Sequence, residues 1–330
     1  MMPAFAYVRP KSLSEAVSSL KGHGAHVLAG GSDLLGCLRD EIFEADKLVS
    51  LSELRKDLHG IARRSDGGLS IGALTTIAEI AADQRIQSGY PGLAQAASEV
   101  ASPQLRNQGT IGGNLCQKPR CWYYRGDFEC LRKGGGRCYA LGGENVFHCI
   151  LGGRNCYIVH PSDTAPMLAA LGAVLTISGP EGERTMPVDR LHVPPSDDPT
   201  RETYLSAGEI ITSINLPPVR DTTYSRYRKV RTRRAWDFAL AGLALVVNMD
   251  GPKVDSARVY LSGCAPVPWP SVEIVERITG KILGDDTIAQ AADASVSQAR
   301  PLSQNAYKLD LVRGIVQEEL TRLQKSRELE

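Results

Sequence analysis

The stretch NLCQKPRCWYYRGDFECLRKGGGRC, residues 114–138, holds four cysteines in a segment with too much glycine, proline and charge for a protein core. Six of the eight cysteines lie between Cys116 and Cys156, whereas Cys37 and Cys264 stand alone and read as packing residues. Disulfide frameworks belong to small secreted scaffolds, so metal ligation or redox chemistry is the better expectation for thiols in a 330-residue chain. Cys121, Cys130 and Cys138 are separated by eight and seven residues, and Cys156 follows after seventeen more. Thiolates ligate soft metal centres, and a cubane iron–sulfur cluster needs four. Structural zinc prefers close C-x₂₋₄-C pairs, so wide spacing favours a loop wrapped around a larger cluster. Residue types leave the fourth ligand open among Cys156, Cys149 and Cys116. Arg120, Arg132, Lys133 and Arg137 would offset the charge of four thiolates.

A second chemistry lies in two glycine turns, LAGGSDLL at 28–35 and NQGTIGGNLC at 107–116. Successive glycines let backbone N–H groups converge on an anion without Cβ atoms in the way. Ser32, Thr110 and Asn114 add side-chain donors. Neither turn has the G-x-G-x-x-G order or a following Gly-Lys-Ser/Thr, so neither is a Rossmann or Walker loop. Together they suit one extended dinucleotide gripped from two sides. No Ser/His/Asp or Cys/His arrangement emerges: His160 reads as a structural hydrogen bonder, and His26, His59 and His148 have no convergent partners in sequence.

The elements that must position these residues follow from periodicity. Ser12 caps a helix over 12–21 with Glu15 closing a capping box. AHVLAG is a strand ended by Gly30 and Gly31, and SDLLGCLRDEI has helical spacing. KLVSLS and GLSIGALT read as strands, and TIAEIAADQRI and GLAQAASEVAS as helices. After the cysteines, NCYIVHPSD reads as a strand into a turn, TAPMLAALGA as a helix, and AVLTISGPEGERTMPV as a hairpin turning at Gly179 to Gly182. A strand ends at Pro217 and Pro218, and the polar stretch beyond it is the best domain boundary. DFALAGLALVVNMDG and KVDSARVYLSGCAP read as antiparallel strands, and the chain ends in a long helix with a frayed charged tail. Lys+Arg 38 against Asp+Glu 37 leaves a formal +1, which gives no footprint for nucleic acid or a membrane surface. With no leader-like or transmembrane run, the chain reads as cytoplasmic, unless a signal-bearing partner exports it.

The motifs AGGSDLL, LRNQGTIGGNLCQ, HPSD and YRKVRTRRAWDFALAG occur in the order found in the FAD subunit of the xanthine dehydrogenase and aldehyde oxidoreductase class of molybdenum hydroxylases, and the chain resembles that family over nearly its whole length. The resemblance implies an α+β fold: a two-subdomain FAD-binding region of the vanillyl-alcohol-oxidase (PCMH-like) type, then a smaller C-terminal α+β domain with an antiparallel sheet and helices. The domains would be 1–218, with subdomains of about 1–55 and 56–218 and an iron–sulfur loop at about 115–157, and 219–330. Carried over residue by residue, the FAD pyrophosphate falls on Ala29, Gly30, Gly31 and Ser32, with Asp33, Leu34 and Leu35 completing and supporting the loop. Thr110, Gly112, Gly113 and Asn114 would hold the ribityl and phosphate side, Asp163 the flavin or its ribityl chain, and Lys229 would stand near the flavin ring.

RCWYYRGDFEC and GGGRCYA look like the inserted [4Fe–4S] loop of 4-hydroxybenzoyl-CoA reductase and of a bacterial aldehyde oxidoreductase branch. That arrangement implies Cys121, Cys130, Cys138 and Cys156 as ligands. The implied function is electron transfer within a heterotrimer, in which a large molybdopterin subunit oxidises substrate and a small subunit carries two [2Fe–2S] clusters. Electrons would pass to FAD and on to an external acceptor. A reductase of CoA thioesters with reversed electron flow is the alternative, and a non-catalytic FAD-binding or zinc-stabilised module the second.

Overall fold

The computed structural model describes residues 2–328. Its first sheet is parallel, in the order β1 (Ala6–Val8), β3 (Lys47–Ser50), β2 (Ala25–Leu28). Helices Leu13–Ser19 and Leu34–Arg39 make the crossovers that parallel strands require. Ser12 caps the first helix by accepting the Glu15 N–H at 3.2 Å. The Glu15 carboxylate instead accepts from the Lys11 N–H at 2.8 Å, so the expected box is displaced by one residue. A full capping box forms at Thr76 and Glu79.

The second sheet is antiparallel, with β4 (Ile61–Arg63), β5 (Leu69–Gly72), β6 (Val174–Gly179), β7 (Gly182–Pro187) and β8 (Ile210–Leu216) in the order β4-β5-β8-β6-β7. Helices Ile77–Ala82, Pro91–Ser98 and Thr164–Ala170 bury Ile80, Leu93 and Met167 against Ile71 and Leu175. The third sheet, ordered β12-β11-β10-β9, comprises β9 (Thr223–Val230), β10 (Ala241–Asp250), β11 (Lys253–Ser262) and β12 (Trp269–Pro270). β10 is buried on both faces: Ala244 and Val246 join the core of the second sheet, while Leu243, Leu245 and Val247 join a core closed by helices Val272–Ile278, Asp285–Ala294 and Tyr307–Glu328. The period of two divides one strand between two cores. The fold is α+β, as the motif order implied. Among the described residues no helix is long and apolar enough to cross a membrane.

One local expectation is corrected. Residues 155–160 form no strand; the Cys149 N–H donates to the Tyr157 carbonyl at 3.0 Å and the His160 N–H to the Ala265 carbonyl at 2.9 Å, so no single neighbour offers a ladder. Most of the polar stretch after Pro218, where the domain boundary was expected, forms β9. Its alternation is regular, with Ser225, Tyr227 and Lys229 buried. Arg226 pairs with Glu319 at 2.6 Å on the C-terminal helix, which keeps this polar strand seated. That helix runs to Glu328; the last two residues of the expected charged tail lie outside the described residues.

Candidate functional site

Both glycine turns line one cleft of about 870 Å³, together with Leu105, Asp163 and residues 236–238. The turns touch each other. The Gln108 Nε2 donates to the Gly30 carbonyl at 2.9 Å, and a Cβ on Gly30 would stand 2.0 Å from the Gln108 carbonyl oxygen. Glycine is therefore required here by close backbone approach. Gly31 needs it for another reason, a φ of +71°. In the second turn Thr110 caps helix Ile111–Leu115, its Oγ1 accepting the Gly113 N–H at 3.2 Å. Asn114 accepts the Ser162 and Thr164 hydroxyls on its Oδ1 at 2.5 and 2.7 Å, which fixes the amide and leaves its NH₂ as the remaining donor.

The structure brings Ala29, Gly30, Gly31, Ser32, Asp33, Leu34, Thr110, Gly112, Gly113, Asn114 and Asp163 to this cleft, and Lys229 stands behind them. Lys229 is buried, and its Nζ donates to Asp163 Oδ2 at 2.8 Å and to the Glu99 carbonyl at 3.1 Å. The other Asp163 oxygen accepts the Tyr227 hydroxyl at 2.8 Å. Asp163 thus presents to the cleft a carboxylate whose two oxygens are already anchored, and Lys229 acts on the cleft through it. Sequence reasoning missed Tyr227, whose signal was the alternation that it shares with Lys229 in β9. It also missed Ala101 and Trp236, two non-glycine residues with φ of +43° and +54° that line the cleft and are joined by a 2.8 Å hydrogen bond from the Trp236 N–H to the Ala101 carbonyl.

Asp33 ties the first turn to the cysteine segment. It pairs with Arg120 at 2.9 Å and Arg125 at 2.8 Å, and accepts the Lys118 N–H at 2.7 Å. Its carboxylate is therefore engaged away from any anion that the turn itself would bind. Beyond this tie, Cys121 and Cys130 pack with Cys37 and Tyr124, so Cys37 belongs to the wall of the cysteine segment. Burial pushes Cys121 up to about 12 and Cys156 up to about 11; the neighbouring thiols Cys156 and Cys138 add to the first, and Cys138 and Cys130 to the second. Cys121 thus lies within electrostatic reach of Cys156 and Cys138, and Cys156 within reach of Cys138 and Cys130. Among the described residues no three His, Cys, Asp or Glu side chains gather closely enough to hold a single metal ion.

Residues 300–308 clamp the far side of this segment. Asn145 exchanges hydrogen bonds with Gln304 at 2.9 and 3.0 Å, Asn305 donates to the His148 and Cys149 carbonyls, and the buried Lys308 donates to the Phe147 carbonyl at 3.0 Å. His148, which lacked any sequence partner, lies with its Nε2 3.3 Å from Cys121 Sγ.

Residues 3–219 match the family described as the FAD binding domain in molybdopterin dehydrogenase, and residues 225–323 the one described as the CO dehydrogenase flavoprotein C-terminal domain. The chain is 36% identical over 321 residues to the aldehyde oxidoreductase FAD-binding subunit PaoB of Escherichia coli (strain K12), covering 94% of this chain and 96% of the relative. It is 28% identical over 302 residues to the carbon monoxide dehydrogenase medium chain of Hydrogenophaga pseudoflava, with coverages of 91% and 88%. A solved structure of carbon monoxide dehydrogenase from the same organism aligns with a TM-score of 0.77 at 26% identity over 96% of each chain. The chain belongs to the FAD-binding medium subunits of the xanthine dehydrogenase and CO dehydrogenase family of molybdenum hydroxylases, and is a subunit of an oxidoreductase.

Proposed function

We propose that this chain is the FAD and [4Fe–4S] electron-transfer subunit of a three-subunit molybdenum hydroxylase of the aldehyde oxidoreductase type, with a large molybdopterin subunit and a small subunit carrying [2Fe–2S] clusters. The observation that carries the reading is the junction of the two glycine turns at one cleft, tied through Asp33 to the segment that holds the thiols. The cleft fits FAD: glycine backbone on both walls suits the pyrophosphate, Ser32, Thr110 and Asn114 suit the phosphates and ribityl hydroxyls, and the anchored Asp163 suits the ribityl chain or ring. When bound, flavin and cluster supply one- and two-electron transfer between the partner's centres and an external acceptor. The residues of this chain bind, orient and charge-balance those groups.

The thiols fit a cluster better than a zinc ion, because Cys121, Cys130, Cys138 and Cys156 lie along one electrostatically linked set while, among the described residues, no three donors meet at one point. Cys156 is the best fourth ligand, since it neighbours Cys121, Cys130 and Cys138. Cys149 is fully buried within reach of Cys156 and Cys138 as well as of Lys308 and Cys264, with its carbonyl held by Asn305 of the clamp. Similarity to an aldehyde oxidoreductase subunit supports electron flow toward FAD.

Two outcomes test this assignment. Gly30→Ala is expected to lose most of its flavin, because the new methyl group meets the Gln108 carbonyl and forces the turns apart. Flavin absorbance per protein after desalting measures it, and wild-type content in the variant would refute the cleft. Cys156→Ser is expected to lose the iron and the low-temperature paramagnetic signal of this subunit in anaerobically purified complex, with Cys149→Ser keeping both. The reverse pattern would move the ligand to Cys149. Turnover of aldehydes without reduction of an aryl-CoA thioester supports the direction of flow.

A further inference from the structure

We propose that His148 sets the reduction potential of the centre at the cysteine segment by donating its Nε2–H to the sulfur of Cys121. This inference rests on the cluster reading above.

The geometry is specific. The Nε2 atom stands 3.3 Å from Cys121 Sγ, and Nδ1 is buried. A metal-bound cysteine sulfur carries no proton, so any hydrogen bond along this contact must take its hydrogen from the imidazole. The tautomer with the proton on Nε2 is therefore selected by the sulfur itself. The ring packs against two aromatic side chains, Trp122 edge-on at 5.5 Å and Tyr123 tilted at 6.0 Å between centroids.

The backbone beneath it is held as firmly. The His148 N–H donates to the Asn145 carbonyl at 3.0 Å, and the His148 carbonyl accepts from Asn305 at 3.0 Å. Asn305 is itself fully buried, as is Lys308, whose ammonium bonds the carbonyl of Phe147, one residue before.

Hydrogen bonds to cluster sulfurs withdraw negative charge from the iron–sulfur unit and favour its reduced, more anionic form. Removing this donor should therefore make reduction harder. No step of bond making or breaking is involved; His148 is a positioning and tuning residue that acts through Cys121. Its backbone clamp comes from residues 300–308, so the C-terminal domain reaches the potential of a centre that the first domain holds.

The test is a potentiometric titration of the complete, anaerobically purified complex, following the paramagnetic signal of the reduced cluster and the iron content together. His148→Phe keeps an aromatic ring against Trp122 and Tyr123 and removes the N–H. Its expected result is unchanged iron with a lower midpoint, by about a tenfold change in the reduced-to-oxidised ratio at fixed poise, or about 59 mV for one electron. His148→Gln, which restores an N–H near the Nε2 position, should recover part of the shift. A wild-type midpoint in His148→Phe with iron retained overturns the inference. If the Phe variant fails to assemble, His148→Asn withdraws the donor from the sulfur while remaining polar, and the same two outcomes apply to it. Loss of iron in the Phe, Asn and Gln variants alike, in folded complexes, would make His148 a ligand and overturn the tuning role. Absence of iron from this subunit of the wild type would defeat the cluster reading itself, an outcome separate from an unmoved midpoint.

Discussion

Asp163→Ala is expected to destabilise the protein by about 3–5 kcal/mol, the usual cost of breaking a buried ion pair from one side. The carboxylate takes the Lys229 ammonium at 2.8 Å and the Tyr227 hydroxyl at 2.8 Å, and both partners are buried. Without it the ammonium keeps only the Glu99 carbonyl, and the tyrosine only Ser262 at 3.1 Å. The penalty is the cost of a desolvated, uncompensated charge, so it should shrink when that charge is also removed. The pair Asp163→Leu and Lys229→Met should therefore cost less together than Asp163→Ala alone, although two contacts have gone. Denaturant midpoints of the wild type, Asp163→Ala and the double variant measure the difference. A loss below about 1 kcal/mol for Asp163→Ala, the scale of an exposed pair, would show the triad to be unimportant for stability. Flavin content should fall in parallel, since Asp163 lines the cleft.

Acid should unfold the protein earlier than its carboxylates require. Burial, followed by the charges of His192 and Arg132, holds His160 well below the ordinary imidazole range, and burial lowers His192 to about 4. The two rings meet edge to face at 4.1 Å, with the His160 Nε2 and His192 Nδ1 atoms lacking partners. A histidine with a depressed folded pKa binds protons in the unfolded chain first. Stability contributed by the neutral form is therefore complete above the unfolded value near 6.5, and it is lost as pH falls toward the folded value. For His192 the window runs from 6.5 down to about 4, and the loss is on the order of 3 kcal/mol at about 1.4 kcal/mol per pH unit. His160 adds a loss of the same sign. Denaturation measured between pH 7 and pH 4.5 should show a pH slope that falls by about one proton in His192→Gln. An identical slope in that variant would remove His192 from the acid response.

What was legible in the sequence was local. Helix and strand periods, the cap at Ser12 and the Gly179 to Gly182 hairpin are decided by neighbours a few residues apart, and the structure places elements there. The glycine turns were legible for the same reason, since Gly31 needs its own backbone angle whatever surrounds it. The α+β class and the family followed from the order of short motifs along the chain. The polar alternation of β9 was present as well, but a strand of arginines, lysine and tyrosines reads as solvated until a partner exists on each face.

The tertiary structure decided which local pieces meet. Gly30 is glycine because Gln108, 78 residues away, passes against it. Lys229 is a buried cation because Asp163 waits beneath it, and His148 reaches a cysteine sulfur because residues 300–308 fasten the chain on either side of it. Each is a contact between distant segments whose energy depends on desolvation. A charge or an imidazole has one worth in water and another in a dry interior, and only the packed chain determines which of the two applies.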